Sequence, residues 1–216
     1  MEIVWLGYAC FRLRGREATV LIDPYDRTVG TLPARLTADI VLITHPHPGH
    51  NNLAAVSQVL KVIQGPGEYE VRGVEIIGVQ TYHDAENGWR LGRNTAYAVT
   101  LDEVVVCHLG DLGHVLTPAQ VEQLSGIDVL LVPVGGQTTI GATEAAEVIS
   151  LLEPRVIVPM HYQTPDLRRP QPLDPVEKFL REMGLTTPPT PQPRLSLTKG
   201  TLPEEPQVVL LEPRHG

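Results

Sequence analysis

The apolar run Ile40-Val41-Leu42-Ile43 breaks abruptly into Thr44-His45-Pro46-His47-Pro48-Gly49-His50-Asn51-Asn52. Four consecutive aliphatic residues read as a buried strand. Three of the chain's eight histidines then fall within six positions. Imidazoles in H-x-H-x-x-H order at the mouth of a strand suit metal ligation, because neutral histidine binds Zn²⁺ and other divalent ions. Pro46, Pro48 and Gly49 stiffen and bend the backbone between the rings, so little ordering entropy is left to lose when they converge. The competing reading is a polar turn with accidental histidines. The spacing favours the metal site.

Three further residues follow other apolar segments. His83 comes after 74–81, Asp111 after 104–107 and His161 after 156–160. Taken singly, an exposed histidine or a Gly-Asp turn accounts for each. Taken with the loop, they place ligand-type side chains at the ends of several strands, which can meet at one rim of a layered α/β protein.

The remaining pattern supports such layers. Strands are expected at 1–6, 10–13, 18–22, 40–44, 61–63, 69–71, 74–81, 95–101, 103–108, 129–134, 156–160, 195–198 and 207–211. Helices are expected at 53–60, at 117–124 with Thr117 as cap, at 143–152 with Thr143 as cap, and at 175–183 closed by Gly184. The proline-rich stretch 186–193 reads as an extended surface loop. With 216 residues, 42% hydrophobic and 19% charged, the chain suits one globular domain over 1–216. Its formal net charge of −8 disfavours a nucleic-acid partner. No apolar run reaches membrane-spanning length, and the N-terminus does not read as a secretory leader. Cys10 and Cys107 read as buried free thiols, and a cytoplasmic address follows. Oligomeric state stays open.

A family resemblance runs along nearly the whole chain. It is carried by Trp5-Leu6-Gly7-Tyr8-Ala9-Cys10-Phe11, Leu21-Ile22-Asp23-Pro24, the histidine loop, Gly67-Glu68-Tyr69-Glu70, Gly110-Asp111-Leu112-Gly113-His114 and Val158-Pro159-Met160-His161-Tyr162. The chain resembles the metallo-β-lactamase-fold superfamily. It is most similar to the small stand-alone metal-dependent hydrolases that include ascorbate-6-phosphate lactonase-like proteins. The resemblance implies an α/β (α+β) fold, a four-layer αββα sandwich with metals between the tops of two sheets. It implies that His45, His47 and His83 hold a first metal and His50 and His161 a second, with Asp111 bridging. The wider superfamily has Asp just before the third loop histidine, where this chain has Gly49, so the second site should bind more weakly. Asp84 and His108 are the candidates to fill the gap.

The expected activity is hydrolysis of a small ester, lactone, amide or phosphodiester. The nucleophile is a metal-bound hydroxide, since a dication lowers the pKa of water from about 15.7 to about 7. One or two Zn²⁺ ions fit, with Mn²⁺ or iron as alternatives. Asp111 would orient the nucleophile, and His108 and His114 are candidates to protonate a leaving group. Asp23, at a strand end, is a candidate partner for the free N–H of a ligand imidazole. Arg93 is a candidate fork for a phosphate or carboxylate on an anionic small-molecule substrate, with a solvated loop arginine as the alternative. Two other readings stay open: an iron-binding redox protein, and a non-catalytic metal-binding protein of the same fold.

Overall fold

The computed structural model describes residues 1–214. In chain order it contains β1 (Glu2–Gly7), β2 (Cys10–Arg14), β3 (Thr19–Ile22), β4 (Leu36–Thr37), β5 (Ile40–Ile43), β6 (Val56–Ser57), β7 (Lys61–Gln64), β8 (Gly67–Val71), β9 (Val74–Tyr82), β10 (Arg93–Leu101) and β11 (Val104–His108). Then follow α1 (Pro118–Gln123), β12 (Val129–Pro133), α2 (Ala142–Leu152), β13 (Val156–Met160), α3 (Val176–Glu182), β14 (Leu195–Ser196) and β15 (Gln207–Val208). One sheet has the order β14-β1-β2-β3-β5-β7, the other β15-β13-β12-β11-β10-β9-β8, and β4 pairs with β6.

Strands β5, β12 and β13 are buried along their whole length and run parallel to their neighbours. Strands covered on both faces carry unbroken apolar runs, which is how these three appear in the sequence. Strand β9 alternates at its start, with Val74 and Ile76 buried and Glu75 and Ile77 exposed. A cluster of buried apolar side chains runs from Ile3 to Leu211, around the fully buried Trp5, Phe11 and Tyr97. Between β10 and β11, Asp102 and Glu103 both adopt positive φ (51° and 68°), as a two-residue hairpin turn matched to strand twist requires.

Strand direction explains where the ligand motifs go. Both β9 and β11 run antiparallel to β10, and β11, β12 and β13 are mutually parallel. The C-terminal ends of β9, β11 and β13 therefore share one edge. In the other sheet, β1 and β3 are antiparallel to β2, and β5 is parallel to β3, so β1, β3 and β5 also end together. Hydrogen bonds from Thr95 N to Thr44 O (2.9 Å) and from His161 N to Tyr8 O (3.0 Å) join the two edges into one rim.

Two local expectations are corrected. Residues 53–60 form no α-helix: a single 3₁₀ turn at Leu53–Ala55 leads into β6, and the turn buries no side chain. With β-branched Val56 and Val59 and no capping bond from Asn52, so short a segment cannot repay helix nucleation. Helix α2 is capped two residues earlier than Thr143, at Gly141, whose N–H donates to Glu144 Oε2 at 3.1 Å. The helical layers are unequal, since among the described residues all three α-helices lie in the second half. Here α1 packs on β9, α2 on β12, and α3 on α2. No helix is long and apolar enough to cross a membrane among the described residues.

Candidate metal centre

Three of the strands that end at the rim are followed by a non-glycine residue in the left-handed region: Tyr8 after β1 (φ 56°), Asp23 after β3 (φ 50°) and His161 after β13 (φ 53°). Each such residue costs on the order of 1–3 kcal/mol and persists only where the surroundings over-determine it. Here they do. The Tyr8 carbonyl accepts from Trp5 Nε1 and from His161 N, both at 3.0 Å. Asp23 Oδ1 accepts from Thr44 N at 2.8 Å, and Oδ2 from Thr44 Oγ1 at 2.6 Å.

The side chains turned inward form three overlapping sets, His45–His47–His83, Asp23–His45–His50 and His50–Asp111–His161, with the potential ligand atoms of each set within 4.8 Å of one another. Asp111 is central. Its Oδ2 lies 3.2 Å from His50 Nε2, 3.2 Å from His83 Nε2, 3.4 Å from His161 Nε2 and 3.8 Å from His45 Nε2. Despite these approaches, His45 Nε2, His50 Nε2, both ring nitrogens of His161 and Asp111 Oδ1 are buried without a hydrogen-bond partner. An unpartnered buried polar atom costs about 1–3 kcal/mol, and a bound ion at this point would satisfy several of them at once. The donor types, imidazole with one carboxylate, suit a borderline dication.

The opposite ring nitrogens are already committed. His50 Nδ1 lies 2.9 Å from Asp23 Oδ2, His83 Nδ1 2.8 Å from Thr138 O, and His45 Nδ1 2.9 Å from Thr44 Oγ1. Such partners fix ring orientation and leave Nε2 for a metal. Asp23 is thus within hydrogen-bond distance of the His50 nitrogen on the side away from Asp111. Asn94, missed in the sequence, supports Asp111: its Oδ1 accepts from Asp111 N at 3.0 Å while Nδ2 donates to Thr81 Oγ1 and Leu109 O. Gly113 lets its loop approach β9 closely, since a Cβ there would collide with the backbone of His83 and Asp84.

Electrostatics follow from burial and this crowding. Burial opposes charge on Asp111, but His161 and His50 hold its carboxyl well below the usual range. Burial likewise opposes charge on His50, yet Asp111 and Asp23 outweigh it and raise the ring to about 10. His45 is pushed down by burial and then by His50, and His47 by burial and then by His83. His161 is held neutral chiefly by burial.

Several expected roles are corrected. His108 is fully buried, with Nε2 2.8 Å from Ala9 O and Nδ1 accepting from Gly110 N at 3.0 Å. His114 accepts from Tyr82 N at 3.2 Å through Nε2, and its Nδ1 lies 2.8 Å from Val115 O. Both rings hold backbone in place, and neither lines the cavity over the metal ligands. Asp84 fills no metal position, because its two oxygens accept the N–H groups of Glu86, Gly88, Arg90 and Leu91. Arg93 lies on a separate cavity with Gln64, Gly65 and Pro66. The cavity over the ligands, 520 Å³ in volume, is lined instead by Arg168 and Arg169 together with Tyr8, Val29, Gly49 and Thr138. The pair in Asp166-Leu167-Arg168-Arg169-Pro170 was the only signal, and exposed arginines carry no periodic pattern.

Residues 2–161 match the family model for a beta-lactamase superfamily domain. A UPF0173 metal-dependent hydrolase of Thermococcus kodakarensis is 32% identical over 213 residues, covering 85% of this chain and 92% of the relative. Another, from Methanoculleus marisnigri, is 33% identical over 211 residues, covering 87% and 90%. A solved metallo-β-lactamase-superfamily protein of Thermotoga maritima, named for a proposed Zn-dependent hydrolase activity, matches with a TM-score of 0.76 at 41% identity, covering 97% of each chain. Igni18, a metallo hydrolase of Ignicoccus hospitalis, shares the fold with a TM-score of 0.64 at 22% identity, covering 91% of this chain and 99% of Igni18. With ligands from both sheets gathered at one rim and these similarities over most of its length, the chain belongs to the metallo-β-lactamase superfamily, among the UPF0173 metal-dependent hydrolases.

Proposed function

We propose that the chain hydrolyses a small ester, lactone, amide or phosphodiester using one or two divalent ions, Zn²⁺ or Mn²⁺. His45, His47 and His83 would hold one ion, and His50, Asp111 and His161 the other. The observation that carries this reading is the set of buried, unpartnered ligand atoms converging on Asp111. A dication bound there supplies a water of lowered pKa and polarises the attacked oxygen.

The chain's own groups do the rest. Asp111, held ionised at the centre of four imidazoles, offsets the positive charge and accepts a hydrogen bond from an O–H group in a fixed direction. Asp23 and Thr138 keep His50 and His83 aimed. Among the described residues, no Ser, Cys or Lys lines the cavity, which favours direct attack by water over a covalent intermediate on those side chains. The reading includes a cytoplasmic address, supported by the buried, unpaired thiols of Cys10 and Cys107. A second reading, iron-based redox chemistry, is favoured by the two-histidine, one-carboxylate make-up of the His50–Asp111–His161 set.

The test is elemental analysis of purified protein, with a panel of esters, lactones, amides and phosphodiesters assayed before and after chelation. Zinc or manganese, with an activity lost on chelation and restored by the ion, is the expected result. In His47→Ala we expect loss of one ion and at least a hundredfold drop in rate with the fold kept, because that ring is only half-buried. Tightly held redox-active iron would favour the second reading. A metal-replete sample inactive on the whole panel would leave a non-catalytic metal-binding protein.

A further inference from the structure

We propose that the cavity wall made by Tyr8, Arg168 and Arg169 is an oxyanion subsite, so that the substrate carries a carboxylate or phosphate group beside the bond that is cleaved. This rests on the hydrolase reading for its position and extends it to substrate class. The wall begins at the ligands themselves. The Tyr8 ring packs on His161 at 4.4 Å and on His50 at 5.1 Å between centroids. The Arg169 guanidinium lies over that ring, 5.4 Å from its centroid, and donates through Nη1 to the Tyr8 hydroxyl. Imidazole, phenol and guanidinium are thus in successive contact from the centre into the cavity.

That order is costly unless an anion completes it. A guanidinium over the ring that packs on His161 stands close to a site for dications and repels them. A bound oxyanion between the two positive centres turns both interactions favourable. The donors are suited to it. A phenol that accepts the arginine N–H has its own proton to give, and guanidinium keeps further N–H groups in a planar fork that matches carboxylate or phosphate oxygens. Of the described residues lining the cavity, Asp111 alone is acidic, and it faces the imidazoles, whereas Arg168 and Arg169 are cationic.

The wall is pre-formed. The left-handed backbone of Tyr8 is held by two bonds to its carbonyl. The segment carrying the arginines is closed at its base by Gln163 N to Asp174 O (3.0 Å) and pinned at Arg168 N to Val29 O (2.9 Å). A subsite held this way spends little binding energy on ordering. The overall charge of −8 repels anions at long range, so capture has to come from such short-range groups.

The test is calorimetric titration of the metal-loaded protein with methylphosphonate, with acetate, and with neutral dimethyl methylphosphonate. The variants are Arg169→Met, Arg169→Lys and Arg168→Met, with metal content and melting temperature measured on each. We expect one anion per chain, no binding of the neutral ester, at least tenfold weaker binding in Arg169→Met at unchanged metal content, and partial recovery in Arg169→Lys. Preference for methylphosphonate over acetate would assign a phosphate-bearing substrate, and the reverse a carboxylate. Equal anion affinity in wild type, Arg169→Met and Arg168→Met would show that anions sit on the metal alone and would overturn the subsite. Titration needs no turnover, so a sample inactive as a hydrolase still answers the question, and an active sample blind to these substitutions refutes the subsite without touching the hydrolase assignment.

Discussion

Asn94 shows how one buried side chain sets the geometry of a reactive one. It is completely buried, and its amide ties Thr81, Leu109 and Asp111 together. Asn94→Leu keeps the number of side-chain heavy atoms but leaves the Leu109 carbonyl and the Asp111 N–H without this partner, and Thr81 Oγ1 with only its bond to the residue-94 carbonyl, so it should destabilise by about 2 kcal/mol and weaken metal binding by releasing Asp111. Denaturant midpoints and metal titration check this; unchanged metal affinity would mean that Asp111 is held by other contacts. At this scale the sequence was partly legible. The ligand histidines stood out because three of them are local to one loop. The difference between His161, whose ring nitrogens are unpartnered, and His108, whose nitrogens are both taken, was invisible. It depends on Ala9, 99 positions away from His108.

At the scale of the element, the histidine loop is shaped as much by what lies against it as by its own prolines. A Cβ on Gly49 would sit 3.1 Å from Tyr8 Cε1 and 3.4 Å from Val29 Cγ2. The Tyr8 ring would have to give by a few tenths of an ångström to admit even a Cβ. Gly49→Asp alone should therefore strain the loop by about 1–3 kcal/mol and fail to tighten the second metal, whereas Gly49→Asp with Tyr8→Ala should tighten it. A tighter second ion in the single variant, read by competition with a chelator, would refute this. Strand placement was legible because buried parallel strands are continuous apolar runs. Residues 53–60 were not, because their apolar spacing resembles a helix face although none of the 3₁₀ turn's residues is buried.

On the proposed ligand set, folding of the whole molecule should be coupled to metal. The ligands come from both sheets, so an ion should stabilise the chain as one unit, by about 4 kcal/mol when present at a thousand times its dissociation constant. Scanning calorimetry should show one transition for residues 1–216, lowered by chelation; two separable transitions would contradict the single-domain reading. The proton on His50 sets the pH dependence. Its pKa is raised from 6.5 to about 10 in the folded, metal-free protein, so its contribution is full below about pH 6.5 and is lost as pH rises through about 10. The metal-free protein should melt lower at pH 10 than at pH 6.5. Metal binding must displace that proton, so affinity should rise over the same interval. Melts of chelated and loaded protein at the two pH values test both signs.

By itself the sequence determined the ligand chemistry, the strand-rich layered fold and the order in which the metal-type residues follow their strands. Each of these rests on patterns spanning a few neighbouring residues, where periodicity and residue type decide the outcome. Only the tertiary structure decided that Tyr8 fills the space beside Gly49, that Arg168 and Arg169 rather than Arg93 face the cavity, and that His108 and His114 serve the backbone. Those outcomes are set by which atoms meet across two sheets. A side chain's chemistry follows from the partners left to it after folding, and the short-range pattern around it does not contain them.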